Sequence, residues 1–150
     1  MSISRSTTVT ASPEAVYALV SDLPRMGELS PENTGGRWLR GATGPAVGAR
    51  FRGRNRNGWR RWSTAVQVEV ADPGREFAFR VSSFGVPVSR WCYVMAPVDG
   101  GCTLTESWED RRPWWFKTPA GLVTGVMNRE EATATSMETT LTAVRDRLKA

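Results

Sequence analysis

The residue types able to move protons or attack a substrate are few in this chain of 150 residues: it has no histidine and only two cysteines, Cys92 and Cys102. Without imidazole there is no Ser-His-Asp or Cys-His machinery, no His-ligated metal and no imidazole proton shuttle. Two cysteines fall short of the four Cys or His ligands of a structural zinc site. No metal and no cofactor is expected, and acid–base work falls to Asp, Glu, Tyr, Lys or Cys. One carboxylate stands out by its setting. Glu106 lies in Leu104-Thr105-Glu106-Ser107-Trp108, where strand alternation puts it on one face with Leu104 and Trp108. A carboxylate on an apolar face must be paired, hydrogen-bonded or neutral, and such perturbed carboxylates concentrate at functional sites.

The residue opposite Glu106 follows from the hairpin. Val86 to Val98 and Cys102 to Glu109 flank Asp99-Gly100-Gly101, a hairpin signal. With Asp99-Gly100 as the loop, residue 95 opposes 104, 93 opposes 106 and 91 opposes 108, and directly opposed residues share a face. The inner face then holds Trp91, Tyr93, Met95, Leu104, Glu106 and Trp108. Cys92, Val94, Thr103, Thr105 and Ser107 lie outside. Tyr93 and Glu106 face each other, either as a structural hydrogen bond or as polar groups of a cavity; a salt bridge from Glu106 to an inward arginine is the other structural option. The two cysteines are far apart in this register, so no disulfide is expected.

A second hairpin runs from Arg50 to Val70 around Asn57-Gly58. With those two residues as the loop, 55 opposes 60, 53 opposes 62 and 51 opposes 64. One face carries Phe51, Gly53, Asn55, Arg60, Trp62 and Thr64, continuing to Val66, Val68 and Val70. The other carries Arg50, Arg52, Arg54, Arg56, Trp59, Arg61, Ser63, Ala65, Gln67 and Glu69. The inner face is unusual for a plain core. Trp38, Trp62, Trp91 and Trp108 are large, Gly53 is empty, and Asn55, Thr64, Tyr93 and Glu106 add polar tips. Apolar walls with a few placed polar groups describe a small-molecule pocket, although the same tryptophans would equally fill a core.

The elements that must position these residues read as follows. Ile3 to Thr10 is a strand. Ser12-Pro13-Glu14 starts a helix with an N-cap, a first-turn proline and an acid, and Val16, Leu19, Val20 and Leu23 form its apolar stripe. Pro24 ends it, and Pro24 to Pro31 holds a brief second helix. Trp38-Leu39 lies in a short strand, and Phe77 to Val81 alternates as a half-buried strand. Pro113 to Pro119 reads as a connector. From Pro119 onward runs a long helical segment, broken near Met127-Asn128, with Val123, Met127, Ala134, Met137, Leu141, Val144 and Leu148 at apolar spacing. Strands in a run with helices to one side mean an α+β fold, and the length suits a single domain over 1–150.

Four segments give this order a family likeness. They are Ala11-Ser12-Pro13-Glu14-Ala15-Val16-Tyr17; Ser21-Asp22-Leu23-Pro24-Arg25-Met26-Gly27-Glu28-Leu29-Ser30-Pro31-Glu32; Asp99-Gly100-Gly101-Cys102-Thr103-Leu104-Thr105-Glu106-Ser107-Trp108; and a last helix opening near Asn128-Arg129-Glu130 and ending Thr140-Leu141-Thr142-Ala143-Val144-Arg145. The chain resembles the polyketide cyclase/dehydrase-like proteins of the START-like, helix-grip superfamily. The resemblance implies a curved antiparallel sheet of about six to seven strands wrapped around a long C-terminal helix, with two short helices after strand 1. It also implies a deep cavity for lipids, polyketides or other apolar molecules. Where a tryptophan commonly precedes the Ser-Pro of that family, this chain has Leu29. Cyclase members steer aldol condensation and dehydration with polar cavity groups. Here only Glu106, Tyr93, Asn55 and an inward arginine are available for that.

The formal charge is +5, carried by arginine far more than lysine. The run from Arg50 to Trp62 is basic and aromatic, but it lacks the RNP1 pattern of RNA-recognition modules. The registers put most of its arginines on the solvent side. Nucleic-acid binding is not expected; a solvated face, or an interaction module meeting an acidic partner or anionic lipid, is. Trp114-Trp115-Phe116 beside Arg111-Arg112 either caps the cavity end or makes a transient membrane contact. Glu130 sits near core spacing and is expected at the rim, and Asp22 is expected to cap backbone. No apolar run reaches the ~20 residues of a membrane span, and the first residues lack the apolar core of a signal peptide. A cytoplasmic protein with reduced thiols is the expectation.

The expected function is binding of an apolar or aromatic small molecule, lipid- or polyketide-like, in a sheet–helix cavity. Trp38, Phe51, Trp62, Phe79, Trp91, Trp108 and Met127 would wall it, with Asn55, Thr64, Tyr93 and Glu106 as its polar groups. The alternative is a cyclase, aromatase or dehydratase with Glu106 as acid/base and Tyr93 as its partner.

Overall fold

The structure is a computed structural model and describes residues 2–126 and 128–149. β1 (Ser2–Val9) leads into Ser12, whose side chain accepts a hydrogen bond from the Ala15 N–H at 3.1 Å, and Pro13 opens α1 (Pro13–Val20). Both features are what a capped helix start requires. A 3₁₀ turn, Leu23–Glu28, holds Pro24 and is the brief second helix. There follow β2 (Asn33–Trp38), β3 (Arg50–Asn57), β4 (Arg60–Asp72), β5 (Glu76–Ser83), β6 (Val86–Val98), β7 (Gly101–Asp110), α2 (Trp114–Thr124) and α3 (Arg129–Arg147).

All seven strands join one antiparallel sheet in the order β1-β7-β6-β5-β4-β3-β2. Every pairing from β2 to β7 is between chain neighbours. β1 closes the far side by pairing with β7, Ile3 opposite Trp108 and Val9 opposite Cys102. This is the α+β helix-grip arrangement. The last helix does not cover the sheet evenly. α3 packs along β1 and β7 and meets α1, while α2 packs on β4. The densest part of the core lies there, with Val9, Val16, Val20, Phe77, Leu104, Met137 and Val144 all fully buried. The inner face of β3 to β6 is covered only in part, by α2 on β4 and by α1 on β5 and β6.

The β6–β7 register is the expected one, with Met95 opposite Leu104, Tyr93 opposite Glu106 and Trp91 opposite Trp108. The β3–β4 register differs by two residues. Asn57 opposes Arg60, Asn55 opposes Trp62, Gly53 opposes Thr64 and Phe51 opposes Val66. The loop is Gly58-Trp59, with Gly58 at φ +62 in the first loop position, as a Gly-X hairpin allows. A shift of two leaves every side chain on its face. A bulge between Val68 and Val70 does change one face: Ala71 opposes the buried Phe77, and Val70 opposes Ala78. Ala71, not Val70, therefore joins the core side.

The segment 113–119 is not a connector. Pro113 occupies the N-cap of α2, extended at φ −61 and ψ 151, and Pro119 lies inside the helix. A proline at the N-cap sacrifices no intrahelical bond, so the helix can begin directly after it. Gly125, left-handed at φ +74, ends α2. Asn128 then caps α3, its side chain accepting from the Glu131 N–H at 3.2 Å.

Candidate functional site

Between the open inner face of β3–β6 and the two C-terminal helices lies a cavity of about 920 Å³. That is within the range of small-molecule sites. Phe51, Asn55, Trp62, Thr64, Phe79, Trp91, Tyr93, Glu106 and Trp108 all line it. Trp38 does not. It sits on the edge strand opposite Phe51 and packs edge-on against that ring, centroids 5.3 Å apart, so Phe51 presents the cavity surface at that position. Met127 lies outside the described residues. Room on the floor comes from Gly53, where a Cβ would stand 2.9 Å from Thr64 Oγ1. Asn55 Nδ2 reaches the same hydroxyl at 3.4 Å.

Glu106 is the polar centre. Its neighbours on the inner face of β7 are Leu104 and Trp108, and it is 1% exposed. Tyr93, also buried, donates its hydroxyl proton to Glu106 Oε2 at 2.7 Å. Oε1 is buried with no hydrogen-bond partner among the described residues, although Glu106 lines the cavity. Burial pushes the carboxyl up from 4.5 to about 7, against the opposing effect of the Tyr93 hydrogen bond. Burial, with the Glu106 charge second, holds the Tyr93 hydroxyl well above its ordinary value. Among the described residues no arginine pairs with Glu106, so of the two structural options the tyrosine bond is the one formed. A carboxyl raised in this way has the chemistry of an acid or base near neutral pH.

Several lining residues escape sequence reasoning. α3 faces the cavity with Thr133, Ser136 and Thr140, while Met137, Leu141 and Val144 turn to the core. The spacing of three and four between those hydroxyls is the available signal. Arg129 at the start of α3 also lines the cavity and is paired with Glu32 at 2.5 Å, whose Oε2 is buried without a partner. Arg112 lines it too; its side chain is 8% exposed and is paired at 2.8 Å with Asp110, 2% exposed.

α2 is apolar on both sides. Phe116, Pro119, Ala120 and Val123 line the cavity, while Trp114 (85%), Trp115 (54%) and Leu122 are exposed. Its C-terminal end is tied to the β3–β4 hairpin, the Thr124 carbonyl accepting from Asn57 Nδ2 at 2.9 Å and the Leu122 carbonyl from Arg60 Nε at 3.4 Å. The tip of the β5–β6 hairpin, which also lines the cavity, exposes Phe84, 92% accessible and at φ +52. Trp59 is a further exposed ring, with the Arg60 guanidinium 4.4 Å from its centre.

Both thiols are less acidic than a free cysteine. Burial raises both, and Glu76, which accepts from Cys92 Sγ at 3.6 Å, raises Cys92 further. Among the described residues no three metal-ligating side chains come together. On the outer face, Arg90 pairs with Glu69 at 2.8 Å, whereas Arg50, Arg52 and Arg54 stand exposed with no ion pair among the described residues. Asp22 is the N-cap of the 3₁₀ turn but makes no side-chain capping bond, so it does not cap as expected. No helix of the described residues is long and apolar enough to cross a membrane.

The family model described as "Polyketide cyclase / dehydrase and lipid transport" matches residues 1–150. The chain belongs to this family. A search of the curated proteins found no match. Among solved structures, the Polyketide_cyc-like protein Cgl2372 from Corynebacterium glutamicum is 34% identical over 96% of this chain and 88% of its own, with a TM-score of 0.64. The di-domain ARO/CYC BexL from the BE-7585A biosynthetic pathway is 16% identical, TM-score 0.74; this chain is covered in full and spans half of that one. Ara h 8.0201 is 11% identical, TM-score 0.68, over 99% of this chain and 97% of its own. These last two share the fold. Family membership supports a hydrophobic ligand-binding or cyclase role.

Proposed function

We propose that this family member binds an apolar or aromatic small molecule, lipid- or polyketide-like, in the sheet–helix cavity, with the Glu106–Tyr93 pair orienting its polar end. The observation that carries this reading is the unpartnered Glu106 Oε1 on the wall of a cavity of about 920 Å³. A buried polar atom without a partner is costly, and a ligand hydroxyl, carbonyl or amide would remove that cost. Native mass spectrometry of the purified protein with lipid and polyketide extracts tests it. Added mass that is lost on adding excess aromatic competitor supports the reading, and the absence of any added mass overturns it.

One observation favours a second reading, a cyclase or dehydratase. A carboxyl held near 7 suits an acid/base at neutral pH. Glu106→Gln would then abolish turnover while leaving ligand binding in place; unchanged turnover of every accepted substrate removes the role.

The cavity rim also suits transient contact with an anionic lipid surface. Trp114, Trp115 and Leu122 are exposed beside Arg111 and Lys117, the pairing of aromatic and cationic groups that membrane interfaces favour. Phe84 holds a left-handed backbone that bulky residues avoid, and keeps an aromatic ring at the outermost point of a hairpin. An apolar ligand would enter across this edge.

A further inference from the structure

A second polar pole lies further along the same strand as Glu106. Inner-face positions on β7 run Leu104, Glu106, Trp108 and then Asp110. At ~3.4 Å per residue, Asp110 is ~14 Å from Glu106 along the strand. It is almost wholly buried, and its carboxylate accepts from Arg112 three times: from the backbone N–H at 3.0 Å, from Nε at 2.9 Å and from Nη2 at 2.8 Å. Lys117, from the first turns of α2, adds a second cation 3.8 Å from the same carboxylate. Burial alone would raise the Asp110 carboxyl, but the Arg112 hydrogen bonds and the two cations outweigh it and keep it below its ordinary value. One anion is thus shared between two cations, of which Arg112 lines the cavity.

The orientation of Arg112 matters. Asp110 holds the Nε–Nη2 edge of the guanidinium, and it is Arg112, not Asp110, that lines the cavity. The Nη1–Nη2 edge remains for another acceptor. A guanidinium whose second edge meets a planar oxyanion makes the parallel pair of hydrogen bonds that Arg supplies and Lys does not. The wall beside it is Ser89, Trp108 and Phe116, one hydroxyl among aromatic surface.

Resting on the cavity-binding reading above, we infer that Arg112, held in place by Asp110, is the anchor for a carboxylate, and that the ligand is an amphiphilic acid with its charged head at Arg112 and its apolar body along the tryptophan-lined wall. Glu106 and Tyr93 then meet a second, uncharged polar group of the ligand rather than its head.

The test compares dodecanoate with dodecan-1-ol, matched in chain length and differing at the head, by titration calorimetry at about pH 7.5. The acid should bind at least ~10-fold more tightly, a difference of about 1.4 kcal/mol. Arg112→Met should bring the two affinities within about twofold, and Arg112→Lys should restore only part of the preference. If removing the arginine unfolds the protein, the Asp110→Asn/Arg112→Met double variant removes the stranded charge and carries the same comparison. Equal binding of acid and alcohol by the wild type, or a preference for the alcohol, overturns the inference while leaving the cavity reading intact. A preference that survives Arg112→Met overturns it as well. Failure of both probes to bind overturns the cavity reading itself.

Discussion

Exchanging Glu106 for glutamine keeps the side chain's shape and an oxygen that can accept from Tyr93, and removes its titration. In the folded protein, burial lifts this carboxyl from 4.5 to about 7. Between those two values the native state holds a proton that the unfolded chain has released, so stability falls as pH rises. The contribution is complete below about pH 4.5 and is gone once pH passes about 7. At 1.36 kcal/mol per pH unit, the loss across this window is roughly 3 kcal/mol. The sign is opposite to that of Glu28, Glu109 and Asp110, whose carboxyls are held low by arginine partners and whose contribution disappears on acidification. Glutamine at 106 leaves those three unchanged, so subtraction isolates the buried group. The assay is urea unfolding of both proteins in half-unit steps from about pH 4.5 to 7.5. The wild-type advantage over Glu106→Gln should shrink by roughly 3 kcal/mol across the series, about 6–12 °C in melting temperature for a chain of this size. A difference that stays flat within about 0.5 kcal/mol would refute burial as the determinant of this carboxyl. A difference that grows with pH would mean that a cation stabilises the carboxylate.

Three further outcomes are expected. Asp110→Asn strands Arg112 in a buried site and should cost roughly 3–5 kcal/mol in chemical denaturation; a loss below about 1 kcal/mol would show that the pair is effectively solvated. The Trp114→Ser/Trp115→Ser double variant should bind vesicles containing anionic lipid about tenfold more weakly in a sedimentation assay, with stability within about 0.5 kcal/mol of wild type; undiminished binding would remove α2 as the contact. Gly101→Ala places a Cβ 1.9 Å from the Val9 carbonyl oxygen, so the β1–β7 edge must move. Thermal unfolding should register about 1–3 kcal/mol of destabilisation, and a neutral effect would contradict the close approach of those strands.

The parts of the site that were legible in the sequence share a physical reason. With Asp99-Gly100 as a two-residue loop, counting puts Tyr93 opposite Glu106, and the strands keep that register. Ser12-Pro13 announces its helix because capping is local chemistry. Asn57-Gly58 was less determinate, since a glycine can take either loop position of a two-residue hairpin; the faces survived because the slip was even. The bulge at Val68–Val70 leaves no mark in Val-Glu-Val, being set by how the sheet bends. Trp38 was read from its position alone, whereas its place on an edge strand lets the Phe51 ring stand before the cavity. Arg112 looked like part of a basic loop, because its burial depends on an aspartate two residues back and on a helix that two prolines seemed to forbid. Thr133, Ser136 and Thr140 carry no apolar signal, and their place on the cavity wall is set by where α3 lies on the sheet.

That off-centre seat of α3 separates two duties around one helix. Met137, Leu141 and Val144 clasp the sheet, and the neighbouring hydroxyl row lines the cavity. Exchanging a cavity hydroxyl for a methyl changes what the wall can recognise without loosening the clasp. If the cavity takes a guest as proposed, its choice would be open to change one hydroxyl at a time while the architecture stays fixed.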